Sequence, residues 1–241
     1  MRIAVISDVH SAATPFRRAL EAARAEGFDQ LLLLGDLFTY GVDPAACREI
    51  AIDAIDRDGA FLIGGNHEQI YIDLRDRNTD YFDRLPEWIR ESIEWTWQEL
   101  GEEWPQQLSW ISEWAWDGAL FAHANPFGYG DWTYLGNNEL LSAAARRLRD
   151  RGFRYGIFGH LHREKFLRDE HGVEVHVVDS VGQPRSGRGA QPSWTMIESH
   201  SGKLQVSVRP IDFDARAHQS AIIHARGLSL ETKSQLCRFY Q

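Results

Sequence analysis

The sequence predicts an α/β protein built around a parallel sheet with helices packed on it. Two observations carry this. Between residues 3 and 63, short apolar runs alternate with amphipathic helical patterns in a βαβαβ order. Beyond residue 163 the apolar period shortens, and four consecutive runs read as strands separated by turns. The 241 residues, 43% hydrophobic and 25% charged, suit one large domain with a sizeable core.

The elements follow in order. "IAVIS" (3–7) is the first strand. "TPFRRALEAARAEG" (14–27) is a helix with Thr14 as cap, Pro15 at the first helical position and Gly27 as stop. Its apolar stripe is Phe16, Ala19, Leu20 and Ala23. "LLLL" (31–34) is the second strand. Asp43, Pro44 and Gly59 frame a second helix whose stripe, Cys47, Ile50, Ala51 and Ala54, places Cys47 in the core. "AFLI" (60–63) is the third strand. Residues 79–116 hold seven of the nine tryptophans and read as helices; a helical insertion is expected over 71–116. Pro86 and Gly101 bound one helix there. Ile89, Ile93, Trp97 and Leu100 give it a core stripe, and Trp88 and Trp95 a second face. That second face calls for a further contact: a neighbouring helix such as 105–112, a lid over the site, or a subunit interface. A strand at 118–122, a helix near 138–151 and a strand at 155–158 come next. Strands follow at 164–169, 173–178, 193–199 and 203–209, then two short helices over 213–241. No internal repeat or linker divides the chain, so residues 1–241 are expected to form one domain.

Charge and cysteine content narrow the function. The formal net charge of −9 carries no basic footprint for nucleic acid. Cys47 and Cys237 make no disulfide framework and suit a reducing compartment. "MRIAVISDVH" is apolar for four residues after Arg2, and neither a signal peptide nor a membrane span is visible, so a cytoplasmic protein is expected.

Five apolar runs end in metal-binding residue types. They deliver Asp8 and His10, Asp36, Asn66 and His67, His123, and His160 and His162. Open α/β sheets place ligands beyond the carboxyl ends of their strands, so these side chains meet on one rim. Any one of them alone is an ordinary loop or cap residue; the set points to a metal site. In extended backbone, positions i and i+2 share a side, so Asp8 with His10, and His160 with His162, can each grip one centre. Asp36, with two oxygens, can bridge two metals. The mixed oxygen and imidazole donors suit Mn, Fe, Co or Zn and differ from the sulfur sets of structural zinc sites.

The stretches "DVH", "GD" (35–36), "GNHE" (65–68), "HANP" (123–126) and "GHLH" (159–162) resemble, in order and spacing, the motifs of the calcineurin-like metallophosphoesterases. "GDLFTYGVDP" and "SVGQPRSG" resemble a small bacterial phosphodiesterase-like branch. The resemblance implies a four-layer sandwich of two mixed sheets flanked by helices. It also implies two divalent metals, manganese foremost, with Fe, Co, Zn, Ni and Mg as alternatives. Asp8, His10, Asp36 and His162 would hold one metal, and Asp36, Asn66, His123 and His160 the other. His160 and His162 would thus serve different metals. A hydroxide between the metals would attack phosphorus, with His67 and Asn66 as catalytic residues. Arg185 and Tyr40 are the expected substrate contacts, Arg163 and Arg188 weaker ones.

The chain departs from the pattern in three places. Thr39-Tyr40-Gly41 stands where protein serine/threonine phosphatases carry Asp-Arg-Gly, Ala124 replaces a glycine after His123, and Val178-Asp179 precedes Ser180. The first departure favours a small phosphodiester over a phosphoprotein. A phosphomonoesterase, a protein phosphatase and a non-catalytic metal-binding scaffold are the alternatives. No membrane or nucleic-acid partner is expected, and a homo-oligomer is open.

Overall fold

In the computed structural model, residues 1–241 are described except 102–107, 186, 188–190 and 241. Trp104 and Arg188 therefore lie outside the described residues. The strands are β1 (Arg2–Ile6), β2 (Gln30–Leu34), β3 (Phe61–Ile63), β4 (Trp110–Ile111), β5 (Glu113–Trp116), β6 (Ala119–Ala122), β7 (Tyr155–Phe158), β8 (Lys165–Arg168), β9 (Glu174–Val177), β10 (Ser193–His200) and β11 (Lys203–Pro210). The helices are α1 (Ala13–Glu26), α2 (Pro44–Asp58), α3 (Asn66–Arg75), α4 (Glu87–Leu100), α5 (Asn138–Asp150), α6 (Ala215–His224) and α7 (Leu230–Cys237).

Two mixed sheets form. One runs β11-β10-β1-β2-β3-β4, the other β5-β6-β7-β9-β8. The expected parallel core is present, since β1, β2, β3 and β4 pair in parallel, as do β6, β7 and β9. Antiparallel strands close the first sheet at its β11 edge and the second at both edges.

The strand period of two explains the layers. In β1, Ile3 and Val5 point inward with Leu32, Leu34 and Ile63 and meet Phe121, Tyr155 and Ile157 of the other sheet. Ala4, Ile6, Leu31 and Leu33 point outward onto Phe16 and Leu20 of α1 and Ile50 of α2. On the far side, Leu120, Phe158 and Val175 pack under Leu141 and Leu148 of α5. Helix, sheet, sheet and helix stack in that order.

Several boundaries differ from the sequence reading. Helix α1 begins at Ala13, so Thr14 lies inside it and makes no cap; Pro15 falls within the first turn, where a missing N–H costs nothing. Asp43 precedes α2 without a side-chain cap, while Pro44 and the left-handed Gly59 bound the helix as expected. Residues 79–116 are not all helical. Trp110 lies in β4, and Trp114 and Trp116 alternate along β5, with the Trp114 ring 5.2 Å from Phe121. The i, i+2 spacing of "WAW" suits a strand, and the local tryptophan density concealed it.

Helix α4 has the two faces its sequence implies. Ile93 and Leu100 are buried in the main core with Ile89 and Trp97 against them. Trp88 and Trp95 pack against Ile222 of α6, Leu228 in the loop before α7, and Leu236 of α7. The neighbouring helix is thus α7, from the far end of the sequence. The expected partner at 105–112 falls partly outside the described residues, and its described end is strand β4. Trp95 Nε1 donates to the Arg226 carbonyl at 2.8 Å, and Glu91 accepts from Ser229 Oγ at 2.7 Å. Cys47 and Cys237 are free and buried. Among the described residues no helix is long and apolar enough to cross a membrane.

Candidate metal centre

The loops that leave β1, β2, β6 and β7, with the first turn of α3 after β3, meet at one edge of the two sheets. Their polar side chains are buried: Asp8, His10, Asp36, His123, His160 and His162 are at most 3% exposed. The backbone there is not extended. Asp8, His10, Asp36, His160 and His162 all have φ between 47° and 66°. Each such left-handed non-glycine residue costs about 1–2 kcal/mol, and such strain concentrates at functional sites. The expectation that i and i+2 share a side through extended backbone is therefore corrected. These residues lie on left-handed turns, which join Asp8 with His10 but divide His160 from His162.

The turns are locked together. Asp8 N donates to the Gly35 carbonyl at 3.1 Å and His10 N to the Asp36 carbonyl at 2.9 Å. Glu68 takes three main-chain donors at once: Gly65 N and Asp36 N at 2.8 Å and Leu37 N at 2.9 Å. Burial and the Asp36 charge push the Glu68 carboxyl up to about 7 despite those bonds. Gly35 has φ +83°, and a Cβ there would strike His123 Nδ1. At Gly159 a Cβ would strike the Ser7 hydroxyl.

The candidate ligands fall into two groups joined at Asp36. Asp8, His10, Asp36 and His162 offer donor atoms within 4.8 Å of one another, and so do Asp36, His123 and His160. Asn66 Oδ1 lies 3.2 Å from His123 Nε2 and extends the second group. His67 stands beside both: its N–H donates to Asp36 Oδ1 at 3.0 Å and its Nε2 is 4.0 Å from Asp36 Oδ2.

Each of the four candidate ligand histidines is fixed by a carbonyl. His10 Nδ1 donates to Phe38 O at 3.2 Å, His123 Nδ1 to Leu34 O at 2.8 Å, His162 Nδ1 to Gln183 O at 2.9 Å, and His160 Nε2 to Trp132 O at 3.0 Å. A carbonyl accepts only, so each bond fixes the tautomer and turns the other nitrogen's lone pair inward. Those lone pairs face each other: His10 Nε2 and His162 Nε2 are 3.0 Å apart, His123 Nε2 and His160 Nδ1 3.2 Å. Two acceptors at that distance repel unless a cation lies between them. Two nitrogens about 2.0–2.1 Å from one metal stand roughly 3.0–3.4 Å apart. The donor set fits a metal.

The electrostatics ask for positive charge at the same place. Burial raises the Asp8 carboxyl, but His162 outweighs it and the net shift is downward. Asp36 is likewise held well below the usual range, burial being overcome by His123 and His67. Burial opposes the His123 imidazolium, yet Asp36 lifts it to about 10, while burial and the His123 charge push its neighbour His160 down to about 3. A metal ion would replace that proton.

The remaining expected residues are close by. Tyr40, 8% exposed, packs its ring 4.9 Å from His10 and 4.8 Å from His67, forming a wall. Arg185 is half-buried, with its main-chain N–H on the His162 carbonyl at 2.8 Å. Arg163 is spent on the Arg185 carbonyl at 3.0 and 2.7 Å. Thr39, where an acid stands in the protein phosphatases, pairs its hydroxyl with Tyr71 at 2.7 Å. His67 Nδ1 is buried with no hydrogen-bond partner among the described residues.

Sequence reasoning missed the supports. Ser180 Oγ donates to the Asp8 carbonyl at 2.7 Å, and Tyr134 stacks on His160 at 4.0 Å. "SVGQPR" marked the first stretch without its role. Nothing in the 127–136 loop signalled Trp132 or Tyr134.

A family model described as calcineurin-like phosphoesterase matches residues 1–164. Uncharacterized protein MJ0912 of Methanocaldococcus jannaschii is 28% identical over 246 residues, which is 93% of each chain. A metallophosphoesterase from Sphaerobacter thermophilus has a similar structure, with TM-score 0.76, 22% identity, and coverage of 99% of this chain and 100% of that one. Hypothetical protein PH1004 from Pyrococcus horikoshii OT3 gives TM-score 0.80 at 16% identity, with 98% and 97% covered. The last two are likenesses of fold.

Proposed function

This chain belongs to the calcineurin-like phosphoesterase family, and from that premise we propose that it hydrolyses small phosphate esters, phosphodiesters foremost, with a pair of divalent cations. The observation that supports this is the two donor groups meeting at Asp36, with facing histidine lone pairs in each. In this reading Asp8, His10, Asp36 and His162 hold one ion, and Asp36, Asn66, His123 and His160 the other. Oxygen and imidazole donors together suit manganese, iron, cobalt or zinc, with manganese the first choice. When bound, the ions supply positive charge that neutralises the ester's oxygens and acidify water near neutral pH.

The chain's own residues do the rest. Asp36 Oδ1 accepts from the His67 main-chain N–H, which leaves Oδ2 3.7 Å from His10 Nε2 and 3.4 Å from His123 Nε2, within reach of both ligand groups. The four carbonyl-pinned imidazoles keep their inward nitrogens aimed at the two donor groups. Burial pushes the His67 ring down to about 4, so at neutral pH it offers an N–H to a phosphoryl or leaving oxygen rather than a full positive charge. Asn66 fixes its amide oxygen beside His123. Arg185 supplies the charge for a non-bridging phosphate oxygen, and Tyr40 walls the site. The absence of an acid partner for His67 at Thr39 favours a diester, whose single negative charge demands less of the pocket than a phosphoprotein does.

The test is hydrolysis of bis-(p-nitrophenyl) phosphate against p-nitrophenyl phosphate, with manganese and then with chelator. Diester turnover should exceed monoester turnover and vanish with chelator. Protein carrying about two manganese equivalents that turns over neither ester would be a scaffold, and the hydrolase reading would be wrong.

A further inference from the structure

Arg185 holds its side chain in an unusual way. Its main chain is fixed twice, by the His162 carbonyl and by the Arg163 guanidinium. Among the described residues the side chain makes one hydrogen bond, Nη2 to Gln183 Oε1 at 2.5 Å. Its Nε is buried and has no hydrogen-bond partner among the described residues. The guanidinium lies instead over the Phe239 ring, with Cζ 5.0 Å from the centroid. Phe239 sits on the 3₁₀ turn Arg238–Tyr240, nearly two hundred residues beyond Tyr40 in sequence, yet its ring is 6.0 Å from Tyr40 and 6.1 Å from Trp88. The turn is tied to the arginine's own loop, because Tyr240 hydroxyl donates to the Gly182 carbonyl at 2.8 Å.

We propose that Phe239 is a positioning residue: it holds the Arg185 guanidinium by its ring face, so that the unpaired Nε–H is presented to a phosphate oxygen at the metal centre. The inference rests on the phosphoesterase reading above. Three facts favour it. A buried N–H without an acceptor among the described residues is a donor left available to a ligand. A guanidinium over an aromatic face keeps its in-plane donors free, whereas a carboxylate partner would consume them. The Arg185 main chain is tied to the carbonyl of His162, and the Phe239 ring under its guanidinium also meets Tyr40, whose ring lies 4.9 Å from His10, so the guanidinium is held beside the first ligand group.

The experiment compares wild type, Phe239→Leu, Phe239→Trp, Arg185→Ala and the Phe239→Leu/Arg185→Ala double variant, all manganese-loaded. Two quantities are read: calorimetric binding of inorganic phosphate, and kcat and KM for bis-(p-nitrophenyl) phosphate. Melting temperature controls for folding. Phe239→Leu should weaken phosphate binding and raise KM by about 3–10-fold with kcat nearly unchanged. Phe239→Trp should restore both. In the Arg185→Ala background, Phe239→Leu should change neither, because its route runs through the guanidinium. Equal losses in both backgrounds would show that Phe239 acts by packing alone and would overturn the proposal. So would a Phe239→Leu variant that binds phosphate like wild type, or a wild type that binds no phosphate. Phosphate binding that follows this pattern in a protein without turnover would uphold Phe239 and refute only the hydrolase reading.

Discussion

The metal rim and the tryptophan-rich face of α4 are both buried, and both draw on distant parts of the chain. They differ in what holds them. At the rim, five of the residues sit on left-handed backbone and the four candidate ligand histidines are pinned by main-chain carbonyls, so one atom's position decides the outcome. On the α4 face, Trp88 and Trp95 meet Ile222, Leu228 and Leu236 through area, and many arrangements would serve. Polar geometry is unforgiving of single atoms, while apolar packing answers to volume. The two regions touch at Tyr40, which is 4.8 Å from His67 on one side and 5.8 Å from Trp88 on the other.

Asp36→Asn should have the largest effect. It removes the oxygen charge that both ligand groups share, so metal content should fall from about two equivalents to one or fewer and hydrolysis by at least about 10³-fold. Elemental analysis and a rate assay check it. Two retained ions would mean that Asp36 is not the bridge.

Next comes the apolar side. Replacing Trp88 and Trp95 together by glutamine should destabilise the fold by about 3–5 kcal/mol, which for this size is a fall in melting temperature of roughly 10 °C. Elution from a sizing column should not change. An altered oligomer with unchanged melting would instead make this face a subunit interface.

His67→Ala tests the rim without touching the four pinned histidines. Both metals should stay while kcat drops about 10²–10³-fold. Loss of metal would make His67 a ligand, and an unchanged rate would remove it from the chemistry.

The smallest effect is expected from His218, which lies away from the rim between Phe213 and Tyr240. Burial pushes its ring down from 6.5 to about 4. A base with a lowered folded pKa binds more protons when unfolded, so its contribution is intact above pH 6.5 and is lost as pH falls toward 4. By pH 5 that loss is about 2 kcal/mol. Urea unfolding at pH 7.5 and 5.0 should show a smaller drop in His218→Phe than in wild type; equal drops would mean that His218 is not buried uncharged.

The same contrast explains what could be read in advance. Most strands, α2, α4 and the rim residues were legible because each leaves a local mark: an apolar run, a Pro–Gly frame, or a histidine or carboxylate at a strand end. The left-handed turns left none, since Asp8, His10 and His160 look like strand ends by residue type. Partners distant in sequence were equally silent. Nothing around Trp88 names α7, and nothing around Arg185 names Phe239. The strands at Trp110–Ile111 and Glu113–Trp116 were masked by the tryptophan density beside them.

The four carbonyls of Leu34, Phe38, Trp132 and Gln183 orient the histidines, and a carbonyl is common to every amino acid. A codon change at those positions alters a side chain and leaves the acceptor standing; even proline keeps its C=O. That part of the orienting chemistry is therefore shielded from point substitution. A genetic screen for lost function would return the ligands and pass over the carbonyls that aim them; substitutions at those four positions would register only through their side chains' other duties, such as Leu34 in the core and Gln183 on Arg185.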